Sequence, residues 1–315
     1  MSTASNVVDY ETRERWLEAR KNGVGASESA ALFGVSPWDN VVSLWAKKMG
    51  IGAAEDDESR ARSKLLKWGA RLEPTIAAGY EEDSGRKLWR ASAHAIAVHP
   101  EIPFMTATPD YFITDAPDRR GRGLAEIKNV VVWRAQDWDD GPPPHIQIQA
   151  QHQMAVTGYD YVAVVPLIGG SDDRPIDLER NPEFIAELEA QVRWFWGLVE
   201  TGVQPPLDGS ERTLATIKRL HPADDGTEVV LPPESLEWWT QLESSKAHAK
   251  AAGEGKTEAE VLLKAAIGAA TYGVLPDGRR LSLKTTARDG YAVEPTTYRT
   301  LRIEKAWTPG KKRRR

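Results

Sequence analysis

Two neighbouring stretches, TPDYFITD (Thr108–Asp115) and GLAEIKNVV (Gly123–Val131), decide how this chain is read. Both are rich in β-branched and aromatic residues and are bounded by turn formers, which predicts strands. Asp110 stands at the start of the first run. Glu126 and Lys128 occupy alternate positions of the second, so the period of two places them on one face, with Ile127 on the other. Val130, Val131 and Val132 continue this run as an apolar segment, which puts the carboxylate and the lysine at the edge of a core element. Taken alone, D-x15-E-x-K also fits a solvated hairpin. Two carboxylates so placed are suited to hold one or two divalent cations for phosphodiester chemistry, and the Ile127 carbonyl is placed to add an oxygen. Lys128 is suited to orient or deprotonate a water, or to stabilise a charged phosphorane. A nearby cation lowers its pKa and an acidic cluster raises it, and both influences stay open at this point.

Outward from these strands the pattern alternates between helix and strand. Upstream, RKNGVGASESAALFGVSPW (Arg20–Trp38) predicts a short helix with Ser27 as N-cap, ended by Gly34, and Pro37 opens another helix through Val41, Leu44 and Trp45. Residues 52–63 read as a loop or a frayed helix start. From Lys64 to Glu82 the apolar residues Leu65, Leu66, Trp68, Leu72, Ile76 and Tyr80 recur at helical spacing, with a kink or break expected at Pro74. Glu73 lies at the edge of that stripe. KLWRASAHAIAVHP (87–100), MTATPDYFITD (105–115) and GLAEIKNVVVW (123–133) read as three strands. A helix from His145 to Val156, a buried strand in YDYVAVVPLI (159–168) and a helix from Pro182 to Thr201 complete an α/β core with a mixed central sheet flanked by helices.

The expected division falls after residue 209, with PPLDGSE as linker. Residues 210–315 form an α+β appendage, with helices over 233–252 and 257–272, a hairpin at Pro276-Asp277-Gly278 and a basic tail, KKRRR (Lys311–Arg315). The tail reads as a solvated end or as a non-specific attractor of phosphate.

Composition narrows the chemistry. The 315 residues contain no cysteine, which excludes disulfides, thiol nucleophiles and thiolate-held zinc or iron–sulfur centres. A metal here needs carboxylate, carbonyl or histidine ligands, and oxygen-rich sites favour Mg2+, with Mn2+ as substitute. His145 and His152 fall on one helical face, but no third zinc ligand accompanies them. There is no phosphate loop of the Walker type, no apolar run near the roughly 20 residues of a membrane span, and no secretory signal, so a cytoplasmic protein is expected. The net charge of -5 does not mark a nucleic-acid binder by itself, because a nuclease needs only a local basic channel beside an acidic site.

Four ordered segments carry a family resemblance: RKNGVGASESAALFGVSPW, WGARLEP (68–74), ATPDY with AEIK, and IQAQHQMAVTG (148–158). Together they resemble the YqaJ-type viral recombinase nucleases, relatives of phage lambda exonuclease in the PD-(D/E)XK superfamily. The resemblance implies a restriction-endonuclease-like core over residues 1–209. It implies Glu73, Asp110 and Glu126 as metal ligands, Lys128 as the catalytic lysine, and Gln149 beside the site positioning water or phosphate. It also implies Arg20, Ser27 and Thr108 at a terminal 5′-phosphate; a hydroxyl and free amides at a helix N-terminus suit such an anion. One departure is Ile146, where the family often has a tyrosine.

The function so implied is a metal-dependent exonuclease acting 5′-to-3′ on linear double-stranded DNA, leaving 3′ single strands for phage-type recombination. Its partners by resemblance are DNA ends, a single-strand annealing protein and further copies of itself in a trimeric ring. Two alternatives use the same residues differently: a structure-selective or nicking endonuclease, and a DNA-binding recombination scaffold without catalysis. Intact Glu73, Asp110, Glu126 and Lys128 argue against the scaffold.

Overall fold

The computed structural model describes residues 6–51 and 57–287, without the side chains of 57–63. The tail Lys311–Arg315 and residues 52–56 lie outside the described residues. The chain divides into two compact units, Met1–His221 and Pro222–Arg315.

The first unit is built on a mixed sheet whose strands run, edge to edge, Ile176–Glu179, Tyr161–Ile168, Gly123–Val130, Tyr111–Asp115 and Lys87–Trp89. Gly123–Val130 pairs antiparallel with Tyr111–Asp115 and parallel with Tyr161–Ile168 over its whole length. A parallel pair needs a crossover, and the helix Pro144–Thr157 supplies it. That helix stops at Gly158, whose φ of 69° is the left-handed conformation that favours glycine.

Strand alternation then sorts the core into two layers. Ala125, Ile127, Tyr111, Ile113, Ala163 and Val165 pack against Ile76, Ala77 and Tyr80 of the helix Asp57–Ser84. Leu124, Phe112, Val162 and Val164 face the other way, into the larger cluster with Ile148, Met154 and Phe195. Each fully buried aliphatic side chain contributes roughly 1.5–3 kcal/mol, so a one-residue slip of the Gly123–Val130 strand would invert a large part of the core.

Several expectations are corrected here. The helix Asp57–Ser84 runs through Pro74 without a break. Burial of Ile76, Ala77 and Tyr80 just beyond it anchors the next turns to the sheet and offsets the hydrogen bond that the proline nitrogen cannot donate. The 87–100 and 105–115 runs each split in two. Lys87–Trp89 and Tyr111–Asp115 join the central sheet, whereas Ala95–Val98 and Met105–Ala107 form a second sheet with Val7–Asp9 and Val24–Gly25. Ser27 is not a cap: the short 3-10 helix spans Ala26–Phe33, with Gly25 before it and the Gly25 N–H donating to Glu28 Oε2 at 2.9 Å. The next helix starts at Val41 rather than at Pro37, because the Asn40 side chain accepts from the Ser43 N–H at 2.9 Å.

The first unit also extends through His221 rather than ending at residue 209. Ser210 caps the helix Glu211–Leu220, Thr213 and Thr216 are buried, and Asn40 donates to Asp208 at 2.9 Å and to Thr213 at 2.7 Å. Among the described residues the second unit holds one helix, Ser235–Ile267, in place of the two expected. Ion pairs one turn apart (Lys250–Glu254, Lys256–Glu260, Lys264–Glu260) line its path through and past Gly253 and Gly255. The hairpin at Pro276–Gly278 is present, joining Tyr272–Val274 to Arg280–Ser282. No helix among the described residues is long and apolar enough to cross a membrane.

Candidate active site

The site lies where the Tyr111–Asp115 strand has just begun and the Gly123–Val130 strand runs past it. The last ladder pair on this side is Tyr111 with Ala125. Beyond it, the Ile127 N–H donates to Asp110 Oδ2 at 2.9 Å. N–H and C=O of one strand residue point to the same edge, so the Ile127 carbonyl also faces Asp110, beyond the ladder.

Glu126 and Lys128 share the face of Leu124 and are covered by the helix Pro144–Thr157. Glu126 is only 3% exposed. A bare carboxylate at that depth is costly unless it is hydrogen-bonded, and Glu126 is held by three donors. Lys128 Nζ and Gln149 Nε2 reach Oε1, the latter at 2.7 Å, and Gln153 Nε2 reaches Oε2 at 2.6 Å. Lys128 Nζ also donates to Gln149 Oε1 at 3.4 Å. Glu73 approaches from the helix on the opposite face of the sheet, and its Oε1 pairs with Arg90 at 2.8 Å.

The electrostatics follow from this crowding. Burial, then Glu126, pushes the Asp110 carboxyl well above the usual aspartate range, against the pull of Lys128. Burial also raises Glu73; Arg90 opposes this and Glu126 adds to it. For Lys128 burial acts to lower the pKa, but the Glu126 and Asp110 carboxylates outweigh it and hold the ammonium above its ordinary value. The arrangement therefore concentrates negative charge that one lysine and one arginine only partly neutralise. Among the described residues, no three carboxylate or imidazole groups converge closely enough to close around a single ion. Each acid is instead turned towards a protein partner: Asp110 accepts from Ile127, Glu126 accepts from Lys128 and the two glutamines, and Glu73 is ion-paired with Arg90.

A cleft of about 280 Å³ opens beside these groups, with Arg20, Glu73, Arg90, Thr108 and Asp110 in its wall. Arg20 and Thr108, expected together, are thus brought to the same cavity as two of the acids. Arg20 lies over the Trp16 ring at 4.6 Å and forms no ion pair among the described residues. Ser27 is exposed and is not in the cleft wall.

Two residues of the site escaped sequence reasoning. Gln153 lies one helical turn from Gln149, and the i,i+4 spacing within QAQHQM was the available signal. Arg90 carries no such mark; only the fold brings it to Glu73. The histidines are separated by their surroundings. His152 is fully buried, with Nε2 3.1 Å from the Thr106 carbonyl oxygen, and burial pushes its pKa down to about 3. It is a core residue.

Fold and site together define an α/β protein whose mixed sheet presents two carboxylates and a lysine at one end. Residues 15–160 match the YqaJ-like viral recombinase domain, so this segment is similar to that family. The uncharacterized protein YqaJ of Bacillus subtilis (strain 168) is 28% identical over 223 residues, 70% of this chain. The match covers 66% of that relative's own length. Among solved structures, the alkaline exonuclease LHK-Exo of Laribacter hongkongensis is 25% identical with a TM-score of 0.48, over 60% of this chain and 93% of that one. A phage-related exonuclease from Haemophilus somnus 129PT is 12% identical with a TM-score of 0.35, over 62% and 90%.

Proposed function

We propose that this chain is a metal-dependent deoxyribonuclease, an exonuclease that degrades linear double-stranded DNA 5′-to-3′ and leaves 3′ single strands for phage-type recombination. The observation that carries this reading is the meeting of Asp110, Glu126 and Lys128 at one end of the central sheet, with Glu73 and Gln149 brought to them by the two flanking helices. Glu73, Asp110, Glu126 and the Ile127 carbonyl are all oxygen donors, of the kind Mg2+ takes with Mn2+ as substitute, and they would close around an ion by turning from their present protein partners. Their mutual repulsion is what a divalent cation relieves. When bound, such a metal supplies Lewis-acid polarisation of the phosphate and a water of lowered pKa.

The chain's own groups do the rest. Lys128, kept cationic by its acidic neighbours, stabilises charge on the phosphoryl oxygens. Gln149 orients water or phosphate through its amide. Arg20 and Thr108, in the wall of the cleft that also holds Glu73 and Asp110, grip the terminal 5′-phosphate, and this supports the polarity. Ser27 belongs to this grip only if its exposed hydroxyl meets the DNA from outside the cleft. The partners are DNA ends, a single-strand annealing protein that receives the 3′ strand, and further copies of the chain in a trimeric ring; the setting is the cytoplasm of a bacterial host.

The test is incubation of 5′-phosphorylated linear duplex and closed circular DNA with Mg2+, the duplex labelled at either end. Loss of the linear DNA with early release of the 5′ label, sparing of the circle, and arrest by chelator are expected. Cutting of the circle would identify an endonuclease. Binding of both DNAs without cleavage, with Mn2+ and single strands also tried, would identify a scaffold.

A further inference from the structure

We infer that Gln153 is a positioning residue for the metal centre, acting through Glu126; this rests on the function proposed above. Gln153 is 1% exposed and lies between Ala150 and Met154, both fully buried. A leucine or methionine would fill that place at no polar cost. The glutamine instead buries an amide whose Oε1 has no hydrogen-bond partner among the described residues. Leaving such an acceptor unsatisfied is unfavourable. What explains the polarity is the other end of the amide: Gln153 Nε2 donates to Glu126 Oε2 at 2.6 Å.

The helix Pro144–Thr157 thereby grips both oxygens of one carboxylate. Gln149 takes Oε1 at 2.7 Å and Gln153, one turn later on the same face, takes Oε2. The terminal torsion of a glutamate is broad, so a single donor leaves the carboxylate free to swivel, whereas donors on both oxygens fix its plane. An ionised carboxylate offers about four lone-pair sites. Lys128 and Gln149 share Oε1, and Gln153 takes one site on Oε2, so the site left for a further partner is on Oε2. Gln153 thus decides where the acceptor capacity of Glu126 points. Groups of this kind, hydrogen-bonded to a ligand rather than to the ion, typically change metal affinity by about 10–100-fold.

The experiment is calorimetric titration of Mn2+ into the full chain, for wild type, Gln153→Met, Gln153→Leu and Glu126→Gln, with a thermal melt of each. The methionine and leucine variants conserve volume, so at least one is expected to fold and melt cooperatively, at a midpoint lowered by the loss of one donor to the buried Glu126 carboxylate. Either folded variant is expected to bind Mn2+ about tenfold or more weakly, and to need a correspondingly higher Mn2+ concentration for half-maximal DNA cleavage while its rate at saturating Mn2+ recovers towards wild type. Wild-type Mn2+ affinity in a folded Gln153 variant, with Glu126→Gln defective, would overturn the role of Gln153 alone. Wild-type affinity in Glu126→Gln would overturn the metal assignment beneath it.

Discussion

Asp110 accepts a hydrogen bond from the Ile127 N–H at 2.9 Å, so the carboxylate occupies the position a ladder carbonyl would fill if the antiparallel strand continued. The same geometry turns the Ile127 carbonyl towards Asp110. One end of the strand pair is thus opened by a side chain, and the opening is where the acids gather.

Asp110→Asn keeps an acceptor for Ile127 but removes a charge repelled by Glu126 and Glu73. The variant is expected to lose at least about a hundredfold in cleavage rate while melting no lower than wild type in chelator. A large fall in melting temperature would show that the charge serves folding instead.

The raised pKa of Asp110 fixes the sign of a pH effect. In the absence of metal the folded chain holds this proton more tightly than the unfolded chain. The penalty is therefore absent below about pH 4, grows as pH rises through the elevated folded value, and is complete above it. Glu73 adds to it in the same direction. Mg2+ should accordingly raise the midpoint by about 3 °C, on the order of 1 kcal/mol, at pH 8, and by less at pH 5. Differential scanning of wild type against Asp110→Asn isolates the effect, and equal Mg2+ shifts in both proteins would contradict it.

Arg20→Ala and Thr108→Ala should reduce the preference for 5′-phosphorylated over 5′-hydroxyl ends, because both residues line the cleft that holds Glu73 and Asp110. Ser27→Ala should change it less, since Ser27 is outside that wall. Competition between the two kinds of duplex end measures this, and an unchanged preference in Arg20→Ala would remove the arginine from the phosphate grip.

Gly123 is pressed against Tyr161: a Cβ built there would lie 2.1 Å from the ring. Tyr161 is fully buried, with the Arg119 guanidinium 3.5 Å from its centroid, so the ring has little room to yield. Gly123→Ala is expected to cost about 3 kcal/mol in a urea melt, towards the upper end for overpacking. A loss below about 1 kcal/mol would mean that the strand pair relaxes around the added methyl.

Much of the site was legible because strands have a rigid period. Once Gly123–Val130 is read as a strand, Glu126 and Lys128 must share a face and Ile127 must leave it. Asp110 and Gln149 followed from ordered motifs. Gln153 was missed although its i,i+4 spacing from Gln149 puts both on one helix face, because that face is otherwise apolar and the spacing does not name the acid. Arg90 was hidden because its pairing with Glu73 bridges separate elements. The two-sheet arrangement was missed for a related reason: Arg90 to His94 and Thr108 to Asp110 each interrupt an apparently continuous run, and sequence does not say which sheet a strand rejoins. No break falls at Pro74, because the packing of Ile76 and Tyr80 carries the helix past it.

The most direct test is the rate of nucleotide release from 5′-phosphorylated linear duplex at saturating Mg2+ by wild type, Glu126→Gln and Lys128→Met. If these residues form the hydrolytic centre, both variants fall by about a thousandfold or more while still binding DNA. Wild-type release by a folded Lys128→Met or Glu126→Gln protein would place the chemistry elsewhere on the chain.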